Sequence, residues 1–423
     1  MSSLTIILLT LIATVAATVV ALNFITGEKK IERVIEQRYA LDDPQFLRSI
    51  GVLLGPAIVP GNRVQTLVNG DEIFPAMLAG IRDAKKSITF ETFIYWTGDI
   101  GEAFADALSE RSRAGVRVHV LLDWVGSVKM EEKYLDKMKA SGVKIQQYHP
   151  LRWYNLSRMN NRTHRKLLVI DGRVGFTGGV GIAEQWTGNA QDPDHWRDLH
   201  YRVEGPVVAQ MQAAFMDNWM KTSGAVLHGS DYFPALSPVG AHSAQMFKSS
   251  PGEGSESMRL MYLLSINAAQ RSIRIANAYF VPDDLTVQTL VDARKRGVEV
   301  QILVPGTPID TELVRKASRA RWGKLLQAGV QIFEYQPTML HNKLMVVDDL
   351  WVSVGSTNFD NRSFRLNDEA NLNIYDREFA LQQSAIFARD LQQARPIDYR
   401  RWQQRPWSEK LLENMAELFR SQL

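Results

Sequence analysis

The feature that most constrains this chain is an internal repeat, whose second copy lies near 180 residues after the first. Three segments recur in the same order in both copies: 84–95 and 269–280, 113–122 and 296–304, and 141–150 and 328–337. β-branched runs alternate with helical patterns in each copy, which predicts βαβ units around a mixed sheet. Because this period is too long for a solenoid, the sequence predicts an α/β protein built from a duplicated domain.

The repeat also sets the predicted domain boundaries. They are a transmembrane anchor at 1–30, a membrane-proximal segment at 31–60, a first domain at 61–222, a linker at 223–257, a second domain at 258–400 and a C-terminal amphipathic helix at 401–423. The linker is rich in Gly, Pro, Ser and Ala, and one short strand is predicted within it at 245–248.

The C-terminal helix carries one apolar stripe, formed by Leu411, Leu412, Met415, Leu418 and Phe419. We expect this stripe to pack on the body of the protein, with contact to a membrane as the alternative.

The N-terminus predicts a membrane helix. Residues 1–27 contain no charged side chain, and the apolar run 4–25 is long enough to cross a hydrocarbon core of ~30 Å. A cleaved signal peptide is the alternative, but such peptides have a basic start and a shorter apolar stretch. Lys29, Lys30 and Arg33 follow the run, which favours a cytoplasmic body. The apolar segment 50–60 is short and broken by Gly and Pro, so we expect a core or interfacial segment there and not a second span.

The residue composition excludes several classes of functional site. The chain has 423 residues, 45% of them hydrophobic and 22% charged, as expected of a globular protein with two or three domains. A net charge of +3 does not favour nucleic-acid binding. The absence of cysteine excludes disulfides, cysteine-ligated metals and thiol nucleophiles. A P-loop, a G-x-S-x-G elbow and an H-E-x-x-H helix are also missing, so no metal and no cofactor are predicted.

The same motif, H-x-K-x4-D, stands at equivalent positions of the two halves. It occupies residues 164–171 in the first half and 341–348 in the second. On a strand, positions i and i+2 share a face, so each His and Lys project together while the following apolar residues enter the core. Two such strands meeting at a pseudo-twofold interface would bring two histidines and two lysines into one cleft.

This set of side chains suits phosphoryl transfer. Of His164 and His341, one can attack phosphorus as a neutral imidazole and the other can exchange a proton with the leaving and incoming alcohols. Lys166 and Lys343 can neutralise the non-bridging oxygens. Ser356 and Asn358 follow the second motif, and we expect them to donate hydrogen bonds to the same phosphate.

Together with the segments 196–206, 279–282 and 355–369, these motifs resemble the phospholipase D superfamily, and within it the bacterial two-domain cardiolipin synthases. The resemblance implies two phospholipase D-like domains related by a pseudo-twofold, each a mixed sheet flanked by helices. It implies His164 and His341 as nucleophile and general acid/base, and both lysines on the phosphate. It also implies an acidic residue that orients each histidine: Glu369, 28 residues after His341, and Asp198, 34 residues after His164. Which histidine attacks stays open.

The two halves also differ from the family pattern or from each other. Gly181 stands where the second half has Asn358, so the two halves are not expected to hold a phosphate symmetrically. Asp171 and Asp348 belong to the motif, but an Asp-Gly pair is also typical of a tight hairpin turn, and we expect both to be structural.

The resemblance implies a cardiolipin synthase that joins two phosphatidylglycerol molecules with release of glycerol through a phosphohistidine. A phospholipase D or another phosphatidyltransferase is the alternative, and a non-enzymatic or nuclease-like role is disfavoured because both motifs are complete. The expected partners are phosphatidylglycerol, cardiolipin and the bilayer, at a bacterial inner membrane with a single span and a cytoplasmic catalytic domain. The oligomeric state stays open. A basic and aromatic loop precedes the first motif and contains Arg152, Trp153, Tyr154, Arg158 and Arg162. We expect it to contact anionic lipid, with an ordinary surface loop as the alternative.

Overall fold

The computed structural model describes residues 2–24, 31, 33–36, 39–150, 160–251, 256–419 and 422. The helices are α1 Ser3–Phe24, α2 Pro44–Leu54, α3 Asn69–Asp83, α4 Asp99–Arg113, α5 Glu132–Ala140, α6 Val208–Ser223, α7 Ser257–Ala268, α8 Asp284–Lys295, α9 Glu312–Gln327, α10 Asn361–Arg365, α11 Arg377–Leu391, α12 Tyr399–Gln403 and α13 Trp407–Glu417. The strands are β1 Val59–Val68, β2 Ser87–Thr92, β3 Arg117–Asp123, β4 Lys144–Tyr148, β5 Leu167–Ile170, β6 Val174–Gly178, β7 Leu199–Glu204, β8 His242–Ser249, β9 Ser272–Asn277, β10 Glu299–Pro305, β11 Gln331–Tyr335, β12 Lys343–Val347, β13 Trp351–Gly355, β14 Glu369–Tyr375 and β15 Ala394–Pro396.

The duplicated α/β fold is confirmed by the strand order. The strands follow one another as β15-β11-β10-β9-β12-β13-β14-β8-β1-β7-β6-β5-β2-β3-β4. In each half a parallel triplet, β2-β3-β4 or β9-β10-β11, continues into antiparallel strands. Apart from the edge strand β15, the order on one side of the β1–β8 junction mirrors the order on the other. A twofold relation between the halves produces this arrangement.

The two halves share a core. At their junction β1 runs antiparallel to β8, with Val59 opposite Ala244, and β8 extends the short strand predicted in the linker. One cluster of buried side chains draws on both halves, with Leu167 and Tyr201 from the first and Leu344 and Leu372 from the second. The site between the halves is therefore held by packing from both sides.

Each motif begins a β-hairpin, β5–β6 or β12–β13, and its aspartate lies in the turn. Asp171 accepts hydrogen bonds from the backbone N–H groups of Lys85, Lys86 and Ser87, and Asp348 accepts them from Gln270, Arg271 and Ser272. The φ angles of Asp171 and Asp348 are 52° and 54°, in the left-handed region that Asp tolerates better than most residues. The structural role expected for both aspartates is confirmed.

The N-terminal segment forms the long helix α1. Within the described residues, Ser3–Val20 is the stretch long and apolar enough to span a membrane, and it is unburied by the rest of the protein. Lys29 and Lys30, which bear on orientation, lie outside the described residues. In α2, Phe46 and Ile50 are buried, and Phe46 packs edge-on against Trp351. Of the predicted apolar segment 50–60, Ile50 therefore belongs to the core, whereas Val52 and Leu53 are exposed (85% and 60%).

The expectation for the C-terminal stripe is wrong. α13 does pack on α9, but Glu413 and Ala416 form its buried face. The predicted stripe points to solvent, with Leu411, Leu412 and Met415 each about half exposed (51%, 49% and 52%). The reason is electrostatic, because arginines of the body pair with the acidic side of the helix.

Candidate active site

The two motifs meet through backbone hydrogen bonds that cross from one half to the other. The His164 N–H donates to the Asp368 carbonyl at 2.9 Å, and the His341 N–H donates to the Arg197 carbonyl at 2.7 Å. Asp368 and Arg197 are the residues just before Glu369 and Asp198. Each histidine is thus aligned beside the acidic residue of the opposite half.

The side chains form two exchanged pairs. His164 Nδ1 lies 3.0 Å from Glu369 Oε1, and His341 Nδ1 lies 2.7 Å from Asp198 Oδ2. Counting along the sequence had matched each acid to the histidine of its own half, and the structure corrects this. A carboxylate that accepts from Nδ1–H leaves Nε2 of the imidazole unprotonated, as the candidate nucleophilic or basic nitrogen.

Different donors support the two carboxylates. The Ser356 hydroxyl donates to Glu369 and accepts from the Ala370 N–H at 3.0 Å. Asp198 instead accepts from the Trp186 indole N–H at 3.0 Å. A Cβ on Gly179, which occupies the position of Ser356, would lie 2.2 Å from Asp198 Oδ1, so the first half has no room for a serine there.

The ammonium group of each lysine lies beside the histidine that is two residues earlier in the chain. The Lys166 ammonium donates to the His164 carbonyl at 2.8 Å, and the Lys343 ammonium donates to the His341 carbonyl at 2.7 Å. Lys343 Nζ also lies 3.0 Å from Nε2 of His341. Both lysines are 4% exposed, so their charges face little water.

Burial and mutual charge set the protonation states. Burial lowers the pKa of His164 to about 4, against the opposing effect of Glu369, and burial together with Lys343 lowers the pKa of His341. Both imidazoles are therefore neutral near pH 7. Burial and the charge of Lys343 lower the pKa of Lys166 to about 7, and burial lowers the pKa of Lys343 to about 8. The charge of Lys343 in the second half thus acts on Lys166 in the first half.

The carboxylates stay ionised in this site. Burial alone raises the pKa of Glu369 and of Asp198, but the facing histidines and the lysines reverse this effect, so the pKa of each carboxyl lies below its usual range.

The second half offers an amide that the first half lacks. Asn358 is 4% exposed, and its Oδ1 has no hydrogen-bond partner within the described residues. At the equivalent Gly181 a Cβ would lie 2.8 Å from Cβ of Ile94, with the Trp186 ring beside it. The first half therefore fills this position with packed side chains.

Aromatic rings enclose both histidines. The ring of Phe93 lies 5.3 Å from that of His164, and the rings of Trp186 and Trp196 lie 5.2 and 5.5 Å from that of His341. These rings limit the water that reaches the imidazoles.

The loop before the first motif is only partly described. Residues 151–159, which include Arg152, Trp153, Tyr154 and Arg158, lie outside the described part of the chain. Arg162 is 3% exposed and lies 3.6 Å from the carboxylate of Asp123, so the structure corrects its expected place at a lipid-facing surface.

Three supporting side chains had not been identified from the sequence: Trp186, Arg197 and Asp390. Trp186 belongs to no motif recognised in the sequence. The lack of a side chain at Gly179 leaves the space that Asp198, the hydrogen-bond partner of Trp186, occupies. Arg197, inside the quoted segment 196–206, forms a buried ion pair with Asp390 at 3.0 Å and fixes the backbone carbonyl that His341 uses.

Comparison with known proteins gives the family. A family model described as "Cardiolipin synthase, PLD-like domain" matches residues 77–219 and again residues 262–391. The chain belongs to this family. It is 36% identical to a cardiolipin synthase of Geobacillus kaustophilus over 84% of this chain and 72% of that protein. It is 35% identical to cardiolipin synthase A of Pseudomonas putida over 83% of this chain and 73% of the relative. The chain is thus a phospholipase D-type phosphatidyltransferase.

Solved structures agree on the fold. The phosphatidylserine synthase of Haemophilus influenzae superposes with a TM-score of 0.69 at 15% identity, covering 89% of this chain and all of that one. A polyphosphate kinase of Porphyromonas gingivalis gives a TM-score of 0.55 at 12% identity, covering 92% of this chain and 57% of that one. At these identities the likeness concerns architecture alone.

Proposed function

We propose that this cardiolipin synthase transfers a phosphatidyl group from one phosphatidylglycerol molecule to another and releases glycerol. The observation that carries the proposal is the single site formed by both halves, with two exchanged histidine–carboxylate pairs and two buried lysines. Such a site supplies a nucleophile, a proton carrier and two cations for one phosphodiester.

In the first step, Nε2 of one histidine attacks phosphorus and the bond from phosphorus to the glycerol oxygen breaks. The other histidine, protonated, gives its proton to that oxygen, so glycerol leaves as the free alcohol. In the second step, the head-group hydroxyl of another phosphatidylglycerol gives a proton back to that histidine and attacks phosphorus. The phosphorus–nitrogen bond breaks, cardiolipin forms, and both histidines return to their initial states. One phosphodiester replaces another, so no nucleotide is consumed.

The negative charge of the substrate favours protonation of the histidine and the lysines. In the free site burial and neighbouring cations keep both imidazoles neutral and lower the pKa of Lys166 and Lys343. A bound phosphodiester brings a negative charge beside these groups and favours their protonated forms. The substrate therefore promotes the protonated histidine that the leaving group requires.

The remaining side chains take distinct roles in the proposal. Lys166, Lys343 and the amide of Asn358 contact the phosphate. Because its hydroxyl already donates to Glu369, Ser356 positions that carboxylate and does not bind the phosphate. Asp198 and Glu369 hold the imidazoles with Nε2 directed at phosphorus.

The membrane supplies the substrates. α1 is apolar and long enough to span a bilayer, which supports a single-pass anchor in the bacterial inner membrane. Lys29, Lys30 and Arg33 follow the apolar run in the sequence and support a cytoplasmic side for the catalytic halves. Anchoring confines the site to the surface where both phosphatidylglycerol molecules lie.

Product analysis tests the proposed function. We expect purified protein, given labelled phosphatidylglycerol in vesicles without nucleotide, to form cardiolipin and free glycerol in equal amounts. Phosphatidic acid as the sole product would identify water as the acceptor and replace the proposal by a phospholipase D.

A further inference from the structure

We infer that the outward apolar face of α13 inserts into the surface of the bilayer and sets the active site against it. This face is formed by Trp407, Leu411, Leu412, Met415, Leu418 and Phe419, and is called the C-terminal apolar face below. The inference rests on the proposed function in one respect, since it assumes that the substrates come from a bilayer.

The orientation of α13 is unusual for a helix on the surface of a protein. α13 turns its charged side towards the protein, where Glu413 pairs with Arg319 and Arg405, and Glu417 pairs with Arg321. Its apolar side faces outward, with Trp407 77% exposed and Leu418 80% exposed. Amphipathic helices on water-soluble surfaces have the opposite orientation, and an exposed apolar stripe of this size marks an interaction site.

α13 packs on the part of the second half that also carries Asn358. Ala416 packs against Val281 and Val314, and Tyr279 joins this cluster. The Phe359 N–H, one residue after Asn358, donates to the backbone carbonyl of Tyr279 at 3.0 Å. These contacts place the buried side of α13 in the same part of the second half as the proposed phosphate ligand, with the C-terminal apolar face on the outer side of the helix.

The residues that follow α13 and α1 lie near one short helix, which favours a bilayer as the occupant of the C-terminal apolar face. After α13 the chain returns to α10, where Arg362 donates to the Gln422 carbonyl at 3.2 Å. Ile31, the first described residue after α1, lies near the same short helix. The Ile31 N–H donates to Glu256 at 2.8 Å, and Glu256 lies 3.7 Å from Arg365.

Chain length ties this region to the anchor. Phe24 and Ile31 are seven residues apart in sequence, so at most about 25 Å separates the end of α1 from Ile31. The bilayer that holds α1 is therefore close to the part of the protein where α13 ends. Gln422 after α13 and, through Glu256, Ile31 after α1 therefore both lie near α10, the short helix that begins three residues after Asn358. A surface that takes lipid directly from a membrane requires such proximity of anchor, helix and site.

The absence of cysteine provides a clean test. Leu412→Cys and Met415→Cys are each labelled with an environment-sensitive fluorophore in the full chain, reconstituted in vesicles of phosphatidylglycerol and phosphatidylethanolamine. Leu381→Cys is the matched control, since Leu381 is a half-exposed leucine (51%) on α11. α9, which carries α13, and α11 pack into different core clusters, so the control label lies on another side of the second half.

We expect blue-shifted emission at positions 412 and 415, quenched by lipids with a quencher on their acyl chains, and water-like emission at position 381. Water-like emission at all three positions would overturn the inference. Labels at 412 and 415 that are shielded equally in detergent and in vesicles, without quenching by lipid, would also overturn it and would indicate a protein partner.

A second variant separates this inference from the proposed function. We expect Leu411→Glu combined with Met415→Glu to lower turnover of vesicle-embedded phosphatidylglycerol by at least about tenfold, since the face no longer inserts. Turnover of the same lipid in detergent micelles should be unchanged, which also shows that the variant is folded. Equal turnover in vesicles by variant and parent would contradict the inference. A parent protein without synthase activity would contradict the proposed function alone, because the fluorescence does not depend on turnover.

Discussion

Turnover of phosphatidylglycerol is expected to be lost in His164→Ala and, independently, in His341→Ala. One substitution removes the nucleophile and the other removes the proton carrier, and general acid–base catalysis alone contributes about 10²–10⁴-fold. Each histidine is held in place by its own carboxylate from the other half. The proposed mechanism uses both imidazoles in the same displacement, so a single remaining histidine cannot take over both roles. The measurement is the initial rate of cardiolipin and glycerol formation by purified variants. His228→Ala, at an exposed position of the linker, is the matched control and should retain full activity.

An activated substrate distinguishes the two histidines. A phosphatidyl ester of 4-nitrophenol has a leaving group that departs without a proton, so the variant that keeps the nucleophile should still release one equivalent of nitrophenol in a burst. The variant without the nucleophile should give no burst. Substantial synthesis of cardiolipin by either alanine variant would exclude the two-histidine mechanism.

The second large effect is expected at the lysines. Lys166→Ala or Lys343→Ala removes a buried cation from the phosphate, and loss of a comparable transition-state donor costs about 2.7–4 kcal/mol, or about 10²–10³-fold in kcat. Lys295→Ala, which removes an exposed lysine paired with Asp292, is the control and should be near neutral. The measurement is kcat for each variant. An effect below about tenfold at both Lys166 and Lys343 would place the phosphate elsewhere.

The lysines also predict the alkaline limb of the pH profile. In the free enzyme the pKa of Lys166 is lowered to about 7, so its cation is present below that pH and is lost as the pH rises. kcat/KM, which reports the free enzyme, should therefore fall above about pH 7. In Lys343→Ala this limb should move to higher pH, because the charge of Lys343 is one cause of the lowered pKa of Lys166. An unmoved limb would assign it to another group.

Much of the site could be predicted from the sequence because local rules determine it. The i, i+2 spacing predicted that His164 lies with Lys166, and His341 with Lys343, and the structure brings them together just before β5 and at the start of β12. The repeat places the two motifs at equivalent positions. The turn roles of Asp171 and Asp348 follow from the conformations that aspartate tolerates.

The rest depends on contacts that sequence spacing does not encode. The offset from His341 to Glu369 does not reveal that Glu369 pairs with His164, since that pairing arises where the two halves dock. The support of Asp198 by Trp186 depends on space left by Gly179. The orientation of α13 depends on Arg319 of α9, which pairs with Glu413. The apolar pattern in the sequence identified the apolar face of this helix correctly, but it did not reveal that the charged face is the buried one.

The stereochemical course at phosphorus tests the central claim, that one site formed by both halves acts through a phosphohistidine. The substrate is phosphatidylglycerol whose phosphorus is made chiral by isotopes or sulfur, and the configuration of the cardiolipin product is measured. Two successive displacements, one by histidine and one by the acceptor alcohol, predict retention of configuration. Inversion would show a single direct displacement and would contradict the account.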